Sequence, residues 1–261
     1  RFRILNACNT RFLNLRVYFA QSSTFPYDAE PNTNAIGPAL RVIGTEGGFL
    51  DGSLAPQGAV YAETAGAPGL VLAPGERADV LVDFSAVPAG SRLILHNDAA
   101  VPFPGGTPLA DFYPGNDELG VAPLPGYGPN TRTLLQFRVL SETAPSPAPN
   151  WRLSPAPASV ELGKKPRDLG LFEEVDAYGR LAQNLGTLAG AAALTDPATE
   201  IVRAGSNEVW RLFNGTADTH PIHFHYFNVR VLSRQAFTTG VGGQPLLTGN
   251  PVGPEPIEKG W

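Results

Sequence analysis

Short apolar runs separated by glycine- and proline-rich turns most restrict the fold that this chain can adopt. In a β-strand, apolar and polar side chains alternate with a period of two, and clusters of glycine and proline end the run. The chain carries 29 glycines and 26 prolines in 261 residues, which is typical of many turns between short strands. The pattern therefore predicts an all-β protein. Strand-like runs occur at residues 2–4, 12–19, 39–43, 70–72, 80–84, 92–96 and 133–140.

A proline-rich segment divides the sequence into two parts. Five prolines lie between residues 145 and 157, and such spacing keeps a chain extended and semi-rigid. We therefore predict a first domain over residues 1–142, a linker over 143–165 and a second domain over 166–261. In the second domain we expect strands at 200–203, 208–213 and 220–232, and a short helix at 185–194. Loops are expected at 21–38, 52–68, 102–129 and 240–256.

The charge balance and the cysteine count exclude several classes of protein. The formal charge is −5, from 19 basic and 24 acidic side chains without a basic cluster, so no nucleic-acid partner is expected. No apolar stretch approaches the roughly 18 residues that span a bilayer, so no membrane span is expected. Cys8 is the one cysteine, and a lone thiol can form neither an internal disulfide nor a thiolate metal cage. We expect Cys8 to be a small buried residue.

Three of the four histidines fall within six positions, at His220, His223 and His225. Successive side chains of a strand point to opposite faces, so His223 and His225 are expected to share a face while His220 leans to the other. Leaving such imidazoles buried without partners would cost about 1–3 kcal/mol each. The cluster therefore predicts a transition-metal site, and imidazole suits copper, zinc, iron and nickel alike. His96 stands alone and is expected to be packed or solvated.

The residues around these histidines resemble a known family. The motif His220-Pro221-Ile222-His223-Phe224-His225, with its flanks at 207–214 and 228–232, resembles the first copper-binding motif in the last cupredoxin domain of multicopper oxidases. Segments 1–11 and 72–84 resemble the middle domain of that family. The run into Glu258-Lys259-Gly260-Trp261 is similar to the branch that contains spore-coat laccases and bilirubin oxidases. The resemblance implies two cupredoxin-like Greek-key β-sandwich or barrel domains, both incomplete.

The resemblance also implies specific roles. His220 would bind the type 1 copper, His223 the type 2 copper and His225 one copper of the type 3 pair. A complete enzyme would hold four coppers, and this chain supplies only some of their ligands. Such an oxidase takes single electrons from phenolic, aromatic amine, bilirubin-like or metal-ion substrates and reduces dioxygen to water. No catalytic residue beyond the copper ligands, and no other cofactor, is expected.

Other copper ligands of the family are not found in this sequence. A His-Cys-His motif is expected downstream and two His-x-His motifs upstream, and Cys8 lies where relatives often carry serine. We therefore expect an internal fragment of a longer oxidase, inactive alone and dependent on the remainder of its polypeptide. A location outside the cytoplasm, or at a spore or cell surface, is implied by the resemblance only.

Three alternatives remain open from the residues. A copper-free relative could keep the fold for an interaction or structural role, although such a protein has no physical need for all three histidines. A zinc enzyme could use a His-x-His pair and a third ligand, but this leaves His220 and the flanking residues unexplained. A copper nitrite reductase shares the fold, but its flanking sequences fit less well.

Overall fold

The computed structural model describes residues 1–25, 27–52, 57–106, 131–141, 152–155 and 165–258. Across these ranges the regular structure is β-strand, with short 3-10 helices at Tyr27–Ala29, Val241–Gly243 and Pro256–Glu258, and the predicted all-β fold is confirmed. No helix in the described ranges is long and apolar enough to cross a membrane.

The chain forms two compact units. The first comprises Arg1–Ala156, Pro221–Leu232 and Pro254–Trp261, and the second comprises Pro157–His220 and Ser233–Gly253. The domain limits expected from the sequence stay a prediction. Much of the expected linker at 143–165, and of the expected loop at 102–129, lies outside the described residues.

The first unit contains ten strands in its described residues. They form two antiparallel sheets, one with the order β1-β8-β4-β5, in which β6 also pairs with β4, and one with the order β10-β9-β2-β3, in which β7 also pairs with β2. Their bounds are β1 Phe2–Leu5, β2 Leu13–Ala20, β3 Pro31–Ile36, β4 Leu40–Thr45, β5 Gly48–Phe49, β6 Ala59–Tyr61, β7 Leu70–Leu72, β8 Arg77–Leu81, β9 Arg92–Asn97 and β10 Thr133–Arg138.

Alternation along these strands builds the core of the first unit. In β2, Leu15 and Val17 are fully buried, and in β7 Leu70 and Leu72 are buried on either side of the half-exposed Val71. Each fully buried aliphatic side chain contributes about 1.5–3 kcal/mol relative to an exposed one. One face of most of these strands thus packs into a single apolar cluster, as the period-two pattern predicts.

The second unit contains six strands in its described residues. One sheet has the order β13-β12-β11-β14, in which β11 is antiparallel to β12 and parallel to β14, and β15 and β16 form a separate hairpin. Their bounds are β11 Arg167–Val175, β12 Leu181–Thr187, β13 Gly190–Ala191, β14 Trp210–Asn214, β15 Arg234–Thr239 and β16 Pro245–Val252.

Several local predictions are wrong. The expected helix at 185–194 is instead the end of β12 and the short β13, because Gly186 and Gly190 suit a hairpin and disfavour a helix by about 1 kcal/mol each. No strand forms at 200–203. The expected loops at 21–38 and 240–256 contain β3 and β16, and the loop at 52–68 contains β6.

The expected strand at 220–232 is also wrong. Pro221 has no N–H to donate to a neighbouring strand, and Tyr226 has a φ of 67°, which breaks an extended path. The histidine segment is therefore irregular between β14 and β15.

A polar cluster ties the parallel strands β11 and β14 together at their first residues. Arg167 pairs with Trp210 in the register, and its guanidinium donates to Glu208 at 3.0 Å and to Glu200 at 2.5 Å. The Trp210 indole N–H also donates to Glu208, at 2.8 Å. The hydrogen bond from Arg167 makes the larger contribution, and the bond from Trp210 the next, to holding the pKa of the Glu208 carboxyl below its ordinary value.

We expect Glu208→Gln to reduce the acid sensitivity of the second unit. Because the folded-state pKa of Glu208 is lowered, its stabilisation is present above the ordinary glutamate pKa and is lost as the pH falls through the lowered value. The variant should be less stable than the parent at neutral pH, and this difference should shrink in acid. Urea unfolding followed by circular dichroism at several pH values measures the effect. Glu174→Gln, at an exposed carboxylate on β11, is the control, and an equal loss there would contradict the prediction.

Candidate metal centre

The loop after β14 positions the first histidine of the motif. The Asn214 side-chain amide donates to the Asp218 carbonyl at 2.8 Å, and its oxygen accepts the Thr216 backbone N–H at 3.1 Å. Residues 214, 216, 218 and 220 are half-buried while 215, 217 and 219 are exposed. This alternation directs the side chains of Thr216 and His220 to the same side of the loop.

His220 is largely shielded from solvent in the second unit. Its side chain is 14% exposed, and its Nε2 lies 2.6 Å from Thr216 Oγ1 and 3.4 Å from Glu173 Oε1. Glu173 is supplied by β11, and its side chain is 17% exposed. One edge of the imidazole is thus held between a hydroxyl and a carboxylate.

His223 and His225 lie in the first unit. Their ring centroids are 4.9 Å apart with the rings perpendicular. Nδ1 of His223 lies 3.2 Å from Glu46 Oε2. Glu46 is also hydrogen-bonded to Arg77, whose backbone N–H donates at 2.7 Å and whose guanidinium donates at 2.8 Å. The carboxylate facing His223 is therefore itself held in place.

The structure thus brings His223 and His225 together, and it places His220 in the other unit. Within the described part of the chain, no group of three or more His, Cys, Asp or Glu side chains is placed to hold a metal ion. Cys8 is a free thiol, half-buried in the first unit. His96 lies in β9, with its ring edge-on to Tyr18 at 6.0 Å between centroids. The copper assignments of the three histidines stay predictions.

Sequence reasoning missed the residues that contact the imidazoles. Asn214-Gly215-Thr216 is a turn-forming sequence just before the histidine motif, so Thr216 could have been noticed. Glu46 and Glu173 carry no such signal. They are distant in sequence from the histidines they contact, and only the tertiary fold brings them close.

Comparison with known proteins finds relatives that align with most or all of the chain. No family model matches the chain. The laccase of Bacillus subtilis is 31% identical over 267 residues, covering 100% of this chain and 42% of the laccase. The multicopper oxidase LPR2 of Arabidopsis thaliana is 27% identical over 236 residues, covering 90% of this chain and 32% of the oxidase. The chain thus spans less than half the length of these relatives.

Solved structures of multicopper oxidases have a fold similar to that of this chain. A variant of the McoA multicopper oxidase of Aquifex aeolicus superposes with a TM-score of 0.53 at 23% identity, over 96% of this chain and 45% of that protein. A multicopper oxidase of Campylobacter jejuni, described as a metallo-oxidase, gives a TM-score of 0.51 at 18% identity, over 96% of this chain and 43% of that protein. The chain is therefore similar to laccases along its whole length in sequence, and to multicopper oxidases in fold.

Proposed function

We propose that this chain supplies copper ligands to an oxidase that takes single electrons from small reducing substrates and reduces dioxygen to water. In this proposal His220 binds the type 1 copper, His223 the type 2 copper and His225 a type 3 copper. The names of the relatives, laccase and multicopper oxidase, support copper as the metal and dioxygen as the electron acceptor. Phenols and aromatic amines are the proposed reducing substrates.

The observation that carries the proposal is a carboxylate beside two of the three histidines. Metal-binding histidines almost always direct their second ring nitrogen to a carboxylate, a carbonyl or water, which fixes the ring and raises its basicity. Nε2 of His220 faces Glu173, and Nδ1 of His223 faces Glu46. In each ring the opposite nitrogen remains for a metal. Neutral imidazole nitrogens suit copper, which when bound supplies one-electron redox chemistry.

We further propose that more of the same polypeptide completes these sites. Large apolar side chains of the second unit are exposed, among them Val175 at 70%, Leu181 at 60% and Leu246 at 54%. Val175 and Leu181 lie opposite each other on β11 and β12, and an exposed apolar patch usually marks a surface that another element covers. A cavity of about 510 Å³ in the same unit is lined by Leu171, Phe213 and other side chains. A segment packed there would bring the remaining ligands, including the thiolate that a type 1 site requires.

We expect His223→Ala to abolish oxygen consumption by the gene product that carries this chain. Loss of an outer partner of a metal-bound histidine typically costs about 10- to 100-fold in metal affinity or activity. Removal of a ligand itself should therefore cost at least about 100-fold. An oxygen electrode with a phenol as the reductant measures the activity, and atomic absorption measures the copper bound per chain.

His96→Gln is the matched control for this experiment, because His96 is the one histidine outside the motif. It should retain the parent's oxygen consumption and copper content. The 261-residue chain alone should show no steady oxygen consumption. Undiminished activity in His223→Ala, or a gene product that takes up neither copper nor oxygen, would contradict the proposal.

A further inference from the structure

The Nε2 atom of His220 has two oxygen neighbours, and the shorter contact is with a hydroxyl. Thr216 Oγ1 lies at 2.6 Å and Glu173 Oε1 at 3.4 Å. A hydroxyl can either donate or accept, and a neutral imidazole nitrogen can do either according to its tautomer. The tautomer of His220 therefore depends on where the single hydroxyl proton of Thr216 points.

The surroundings of Thr216 determine the direction of that proton. Its Oγ1 lies 2.7 Å from Asn214 Oδ1 and 3.2 Å from the Asp218 carbonyl oxygen. Both neighbours are acceptors only. The orientation of the Asn214 amide follows from its own bonds, since its Nδ2 donates to the Asp218 carbonyl and its Oδ1 accepts the Thr216 backbone N–H. The hydroxyl proton is thus directed away from His220.

Thr216 Oγ1 consequently accepts a hydrogen bond from His220, and Nε2 must carry the proton. The carboxylate oxygen of Glu173 favours the same tautomer, because it too can only accept. The lone pair then resides on Nδ1, and among the described residues no hydrogen bond to Nδ1 of His220 is present. Nδ1 is the nitrogen left to bind a metal.

We propose that Asn214 and Thr216 form a hydroxyl relay that holds His220 in the Nε2–H tautomer and presents Nδ1 as the electron-pair donor. Thr216 is a positioning residue, since it acts through His220. The metal identity rests on the proposed function, whereas the tautomer is a property of the metal-free chain. Because Thr216 makes the shorter contact, the relay determines the tautomer and Glu173 reinforces it.

Nitrogen-15 NMR of the histidine-labelled, metal-free chain tests the relay, because protonated and unprotonated ring nitrogens differ widely in chemical shift. His220 should be the Nε2–H tautomer in the parent, in Thr216→Ser and in Glu173→Gln. Thr216→Val removes the hydroxyl at nearly constant volume and should give a mixture of tautomers. Thr219→Val, an exposed threonine next to His220, is the matched control and should match the parent.

Metal binding provides a second measurement. In the gene product, Thr216→Val should weaken copper binding at the His220 site by about 10- to 100-fold, and Thr216→Ser should restore it. An Nδ1–H tautomer in the parent overturns the relay, and so does a Thr216→Val spectrum equal to the parent's. Loss of the tautomer in Glu173→Gln also overturns it, and this holds even if Thr216→Val fails to fold. None of these NMR outcomes depends on copper uptake, whose absence would instead overturn the proposed function.

Discussion

Asn97→Asp should destabilise the first unit by about 3–5 kcal/mol, the range observed when a buried charge is left without a compensating partner. Asn97 is the last residue of β9, and none of its surface is exposed. The substitution changes one side-chain atom from a donor to a negatively charged acceptor. Its large expected effect follows from the hydrogen bonds that this atom makes.

The Asn97 side-chain amide forms hydrogen bonds to backbone groups through both its oxygen and its nitrogen. Its Oδ1 accepts the backbone N–H of Asn14 at 2.8 Å and that of Ala99 at 3.0 Å. Its Nδ2 donates to the carbonyl of Thr131 at 2.9 Å and to that of Phe12 at 3.3 Å. An aspartate would keep the first two bonds and would direct a carboxylate oxygen at two carbonyl oxygens.

Asn34→Asp is the control, because it makes the same change at an exposed position of β3. An exposed substitution of this kind usually changes stability by less than about 0.5 kcal/mol. Urea unfolding followed by circular dichroism compares the two variants. Equal unfolding free energies for Asn97→Asp and Asn34→Asp would show that the buried amide network does not stabilise the unit.

Leu93→Ala is the second substitution with a large expected effect, about 2–5 kcal/mol of lost stability. Leu93 lies in β9, which pairs with both β2 and β10, and its exposed fraction is 0%. Truncation removes apolar contacts and leaves a cavity that the paired strands cannot close. The loss exceeds the burial energy alone for that reason.

Leu134→Ala makes the matching change on the neighbouring strand β10, where the leucine is 40% exposed. The loss there should be small, because little apolar surface returns to water and the site is open to solvent. Both variants are compared by chemical unfolding of the whole chain. A loss for Leu134→Ala as large as that for Leu93→Ala would contradict the assignment of the core.

Most strands of the first unit could be predicted from the sequence because their signal is local. Buried and exposed residues alternate in β7 and β8, and the turn between them contains Gly75, whose φ of 86° favours glycine. The all-β class could be predicted for the same reason, whereas the metal-binding role of the histidine cluster stays a prediction. These features depend on residues a few positions apart.

Other strands were decided by their partners. The segment that forms β3 is half-exposed and polar, and it becomes a strand by pairing with β2. The segment that forms β16 contains two prolines and a glycine and is mostly exposed, yet it pairs with β15 along most of its length. Backbone hydrogen bonding to a neighbour outweighs weak local propensity, and that neighbour is not visible in a local pattern.

In the candidate site too, some features follow from the local sequence and others from contacts that only the fold creates. The sequence by itself determined which residues can bind a metal, since three imidazoles within six positions are a local fact. The tertiary structure decided how they are held: Tyr226 at a φ of 67° takes the segment out of the sheet, and strand pairing brings Glu173 to His220. Ligand type follows from side-chain chemistry, whereas the orientation and tautomer of a ligand follow from groups that only folding brings into contact.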